Sequence, residues 1–155
     1  MYLVMVIGLM VVLPIGSSVI ELAVNGGQDP LGVFGRWFLF WGAGVRLLTA
    51  GVSQILRPQF TTQNILGETT PTANQVVQEL GFANLGFGLA AVIAAWVPGW
   101  AVPVAIAPGV FLLAAGLRHI VKSGKNREEL LATLSDLLVG AVLIVFVVLS
   151  VTTGA

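Results

Sequence analysis

Apolar residues along the chain fall into five long runs, separated by short stretches rich in Gly, Pro, Asn and charge. Crossing the hydrocarbon of a bilayer takes about 20 mainly apolar residues in a helix. Each run is long enough, and the pattern predicts helices over about 2–24, 33–56, 73–97, 100–121 and 130–151. Pro14 predicts a kink in the first. That helix opens without a basic n-region and no A-x-A site follows, so it reads as a retained helix. Asn25-Gly26-Gly27-Gln28-Asp29-Pro30 ends it with helix-breaking chemistry. Arg57-Pro58 closes the second helix, and the polar stretch after it, through Thr72, is the longest loop. Pro98-Gly99 makes a tight hairpin between the third and fourth helices. Pro103 and Pro108 predict a bend in the first half of the fourth.

Within these runs two finer patterns stand out. Trp37, Phe38, Phe40 and Trp41 open the second helix, and Trp96 and Trp100 flank the Pro98-Gly99 turn. Rings at span ends mark a membrane interface. In the third helix Gly86, Ala90 and Ala94 recur every four residues with Ala91 and Ala95 alongside, which predicts a close-packing face.

The polar positions inside the runs are few and fall at similar depth. Arg46, Glu79, His119 and Asp136 each interrupt a different helix, accompanied by Gln54 and Asn84. At 1.5 Å per residue, Arg46 lies about 15 Å inward from Arg57. Asp136 lies roughly 10–12 Å, and Asn84 about 15 Å, from the corresponding ends of their helices. Glu79 and His119 are shallower, within about two turns of the same surface. Eight residues separate Arg46 from Gln54, which predicts a shared face. Glu129, Asp136 and Gly140 share one stripe of the fifth helix. These residues form the predicted ligand-binding or ion-pair cluster: Arg46, Gln54, Glu79, Asn84, His119 and Asp136. Arg46 can be neutralised by Asp136 or Glu79, and Asn84 and Gln54 can supply interhelical hydrogen bonds. Glu21 is the outlier, near the opposite end of the first helix.

Composition turns the run pattern into a membrane assignment. Of 155 residues, 57% are hydrophobic and only 9% charged, with a mean hydropathy of +0.98. A water-exposed domain carries about a quarter charged residues. The surface therefore faces lipid, and the chain is one compact all-α membrane domain. Net charge is +0, which argues against a nucleic-acid partner. There is no cysteine, which excludes thiol chemistry and disulfides, and a single histidine argues against a transition-metal site. No cofactor is expected.

Lys and Arg are asymmetric. Arg118, Lys122, Lys125 and Arg127 surround the turn between the fourth and fifth helices, with Arg57 on the same side and Arg36 alone on the other. The positive-inside rule places the N-terminus in the cytoplasm and the C-terminus outside. The run Lys122 to Glu129 reads as a solvated loop in contact with anionic lipid heads, with Glu128 and Glu129 capping the fifth helix.

Nucleophile-elbow, zinc-protease and phosphate-loop motifs are all missing, so a non-enzymatic role is favoured. The stretches RWFLFWGAGVRLLTAGVSQILRPQF at 36–60, QELGFANLGFG at 78–88, GLRHIVKSGKNREE at 116–129 and SDLLVG at 135–140 resemble, in order and spacing, a family of uncharacterised bacterial integral membrane proteins, DUF6790. The resemblance implies a bacterial cytoplasmic (inner) membrane protein and carries no activity. Arg46, Gln54, Glu79, Asn84, His119, Asn126, Glu128 and Asp136 lie inside the family-like stretches. The translocator-protein family has the same helix count, but its W-x-P-P and aromatic-loop patterns are missing here. The leading functional expectation is a protein that binds a small polar or amphiphilic ligand, or passes a proton or solute, at the polar cluster. The alternative is an accessory or scaffold subunit whose cluster only fixes helix packing. Membrane lipids are expected partners, together with a second copy of the chain or a membrane complex. A third reading, an enzyme acting on lipid or quinone, needs a pocket reaching His119 and Glu79 from the bilayer.

Overall fold

The computed structural model describes residues 2–121, 124 and 127–154. Five helices in it are long and apolar enough to cross a membrane. They are α1 (Leu3–Val24), α2 (Pro30–Leu56), α3 (Pro71–Ala94), α4 (Ala101–Val121) and α5 (Arg127–Thr153). The described residues contain no strand. Large apolar side chains such as Ile20, Leu56, Phe82, Ile93, Leu117, Val145 and Val151 are exposed around the bundle, as a lipid-facing surface requires. Lys122, Ser123, Lys125 and Asn126 lie outside the described residues, as does the side chain of Glu128, and with them most of the expected basic loop.

Local chemistry sets the helix ends. Asp29 adopts a left-handed backbone (φ 47°) and accepts a hydrogen bond from the Gly32 N–H at 2.9 Å, so α2 starts at Pro30. The N-cap and first-turn Pro supply the start that sequence periodicity put three residues later. Thr70 caps α3 in the same way, accepting from the Ala73 N–H at 3.2 Å. The stretch after Arg57, expected as a loop, coils into a short helix, Pro58–Thr61, and a π turn, Thr62–Leu66. Thr62 is fully buried there and donates to Asn74 Oδ1 at 2.9 Å, which ties the coil to α3.

Two of the long helices contain π turns. In α1 the Leu13 N–H bonds back to Gly8 O. The widened turn over Gly8–Val12 immediately precedes Pro14, whose ring removes one ladder donor. In α2 a π segment runs from Phe38 to Val45 and ends at Arg46. Each π bond takes in one residue more than an α bond, so the segment changes which neighbour the residues after it face.

α4 and α5 pack along most of their length, as do α2 and α3, while α1 lies mainly against α2. The core between them includes Met10, Leu39, Ala43, Leu47, Ala91, Ala105, Leu112, Val139, Leu143 and Phe146. Glycine permits close approaches of helix backbones. A Cβ at Gly88 would lie 2.7 Å from Leu48 N and 2.9 Å from Gly44 O, and one at Gly140 would lie 2.6 Å from Leu113 N. Such distances let backbones meet in a medium where packing, not a hydrophobic drive, holds helices together. The packing face of α3 differs from the expected one. Val77, Gly81, Asn84, Gly88, Ala91 and Ala95 are buried, whereas Gly86 and Ala90 are exposed. The buried set repeats at alternating steps of four and three, the seam that follows a neighbouring helix. The every-fourth-residue series drifts off it, so only Ala94 of that series stays inside.

Candidate functional site

The predicted polar cluster resolves into separate interhelical pairs. One joins α2 to α5 through Arg46, which follows the π segment of α2 and points at α5. Its Nη2 is ion-paired with Asp136 Oδ1 and donates to Ser135 Oγ at 3.0 Å. Ser135 Oγ in turn donates to Ala132 O at 2.7 Å. Both charged side chains are mostly buried, 15% exposed for Arg46 and 11% for Asp136. Of the two carboxylates that could neutralise Arg46, the fold supplies Asp136.

Gln54, two turns further along α2, faces α3 instead. Its Oε1 accepts from Asn84 Nδ2 at 2.7 Å, and both residues are buried. Nearby, Gln78 Nε2 donates to Ile55 O at 3.2 Å. His119 of α4 sits beside α5, with Nδ1 3.4 Å from Oε1 of Glu129, which is 2% exposed. Glu79 is not brought into the cluster. It is exposed and makes no ion pair among the described residues. The reason is register: Glu79 lies midway between Val77 and Gly81 of the buried seam, on the opposite side of the helix. Two polar atoms of the cluster, Arg46 Nη1 and Asn84 Oδ1, are buried without a hydrogen-bond partner among the described residues. No group of three or more His, Asp or Glu among those residues could hold a metal ion.

A second polar centre lies at the other end of the bundle. Glu21 of α1 is ion-paired with Arg36 of α2 through Oε1, and its Oε2 accepts from Trp37 Nε1 at 2.7 Å. Trp41 Nε1 donates to Ser17 Oγ at 3.1 Å, so two indoles tie α1 to α2. Trp37, Phe40, Trp41 and Trp96 contact one another edge to face, with ring centroids 4.8–5.8 Å apart. Four of the six aromatic residues expected at a membrane interface thus form one cluster across α2 and the turn after α3, the tryptophan end, while Phe38 is buried in the core and Trp100 is exposed.

At the tryptophan end lies an open recess of about 510 Å³. Glu21, Asn25, Gln28, Asp29 and Arg36 line its polar side, and Trp96, Val102 and Phe146 its apolar side. A volume of 300–1,000 Å³ with a few convergent polar groups is typical of a small-molecule site. Beside it an apolar groove of about 310 Å³ runs between α2 and α5, lined by Leu31, Phe34, Gly35, Ala141, Val142, Val145 and Phe146. Phe146 borders both.

A model of DUF6790, a family of unknown function, matches residues 3–154. The chain belongs to the DUF6790 family. The match takes in all five helices of this chain. Comparison with curated proteins gives no significant match, and neither does comparison with solved structures.

Sequence reasoning misses the polar centre and recess at the tryptophan end. Depth along the helices marks Glu21 as an outlier and gives Arg36 a part only in orientation. A signal was present: the two residues stand on either side of one turn between antiparallel helices, where opposite charges meet. The recess itself had no sequence signal, because it is made by the ends of all five helices.

Proposed function

We propose that the protein is a non-enzymatic membrane protein that binds a small amphiphilic ligand in the recess at the tryptophan end. One observation carries the reading. The 510 Å³ recess combines Glu21, Asp29 and Arg36 with an apolar wall that includes Ala101, Val102 and Phe146. In this reading Arg46–Asp136 and Gln54–Asn84 fix helix register, and the ligand site is distinct from them. The Lys/Arg asymmetry supports a bacterial cytoplasmic membrane orientation with Arg57 and Arg118 inside, which puts the recess on the outer face. The test is native mass spectrometry on the full chain extracted in lipid nanodiscs. A retained amphiphile on the unmodified chain, lost on Val102→Trp at unchanged thermal stability, supports the reading. Identical adducts on both chains refute it.

A second reading, passage of a proton or solute at Arg46, is favoured by the unpartnered Arg46 Nη1 and Asn84 Oδ1. It predicts a flux in proteoliposomes that Arg46→Met abolishes. Association with a second copy or a membrane complex is also part of the proposal, and lipid-facing Ala83, Gly86 and Ala90 on α3 support it. Cross-linking in native membranes tests it.

A further inference from the structure

The charges around the recess do not balance, and the imbalance names a ligand class. Three titratable side chains line it: Glu21, Asp29 and Arg36. Glu21 and Arg36 neutralise each other, and the remaining Glu21 oxygen is taken by the Trp37 indole. Asp29 is left. One of its oxygens caps α2, and it forms no ion pair among the described residues. The C-terminal turns of α1, α3 and α5 bring the negative ends of three helix dipoles to this end of the bundle, and α2 and α4 begin there with positive ends, that of α2 capped by Asp29. Ala94, Ala95 and Trp96 at the end of α3 belong to the wall. The Trp96 ring, 61% exposed, offers a π face to a cation.

The apolar wall of the recess gives the other half of the ligand. Val97, Ala101, Val102 and Phe146 form it. The α2–α5 groove is separate, because the Phe146 ring packs directly on Gly35 between the two. We infer that the recess takes an ammonium-headed amphiphile, its cationic head at Asp29 and Trp96 and its chain along the wall of Val102 and Phe146. The inference rests on the recess being the ligand site proposed above. An aminophospholipid of the bilayer and a free long-chain amine share this chemistry.

The experiment is native mass spectrometry of the full chain in dodecyl maltoside, titrated with dodecylammonium or with laurate. These have similar chains and heads of opposite charge. The expected result is a one-to-one dodecylammonium adduct at least tenfold tighter than laurate. Asp29→Asn keeps the left-handed backbone and the helix cap, and it should cut that preference fivefold or more. Competition by added phosphatidylethanolamine assigns the site to a bilayer lipid, and its absence assigns it to a free amine; both outcomes support an ammonium head. A preference unchanged in Asp29→Asn overturns the inference. Equal laurate and dodecylammonium adducts that Val102→Trp removes also overturn it, while the recess reading stands. Adducts indifferent to Val102→Trp overturn both.

Discussion

Removing either partner of Arg46–Asp136 should destabilise the bundle far more than removing both. With side chains only 15% and 11% exposed, each charge depends on the other for neutralisation. Deleting one partner of a buried pair costs about 3–5 kcal/mol. An unpaired Asp or Arg at mid-bilayer costs about 2.5–3.5 kcal/mol by insertion scales, so the two estimates agree near 3. For a chain of this size about 3 kcal/mol corresponds to a fall in Tm of roughly 10 °C. Replacing both members with apolar residues of similar volume is about neutral. Arg46→Met and Asp136→Leu should therefore each lower Tm by about 10 °C, and the double variant should return to near the native value. The implied coupling is roughly 6 kcal/mol and is read from the double-mutant cycle. The assay is unfolding in maltoside followed by intrinsic tryptophan fluorescence. Single effects below about 1 kcal/mol that simply add would refute the pair as a structural lock. Ligand retention by the refolded double variant would also separate the lock from the recess.

Smaller effects are expected elsewhere. Asn84→Leu removes one interhelical hydrogen bond to Gln54 and should cost about 0.6–2 kcal/mol in the same assay, clearly less than Asp136→Leu. Gly88→Leu forces a side chain into the α2 backbone and should cost about 1–3 kcal/mol, whereas Gly86→Leu, with nothing within 4 Å of its Cβ, should leave Tm unchanged. Glu21→Gln weakens a pair about 30% exposed, so its cost should be near 1 kcal/mol. Its clearer readout is a shift in tryptophan emission, since Trp37 bonds to the same carboxylate.

Hydropathy made the five helices legible, because lipid imposes length and apolarity on each span separately. Arg46 and Asp136 were legible as partners for a related reason: a charge deep in an apolar run must be met from a neighbouring helix. Faces were harder to read. Small residues occur on both sides of α3, so spacing alone could not distinguish Gly88, against the α2 backbone, from Gly86, facing lipid. The shared face expected for Arg46 and Gln54 also failed, since Arg46 turns to α5 and Gln54 to α3. Glu79 was the same error one helix over: it stands on the exposed side of α3, away from the buried seam. The start of α2 at Pro30 was available in principle from Asp29-Pro30, a cap followed by a first-turn proline. The recess was not available, because residues from all five helices converge on it and no local pattern records the meeting.

The central claim is that the recess at the tryptophan end is a ligand site, and protection of a single thiol tests it most directly. The chain has no cysteine, so Val102→Cys places one reporter on the recess wall. Labelling by a water-soluble thiol reagent should proceed readily in maltoside and slow at least fivefold with saturating dodecylammonium, with little effect from laurate. A thiol that stays unreactive, or that labels at the same rate whether or not dodecylammonium is present, would contradict the account.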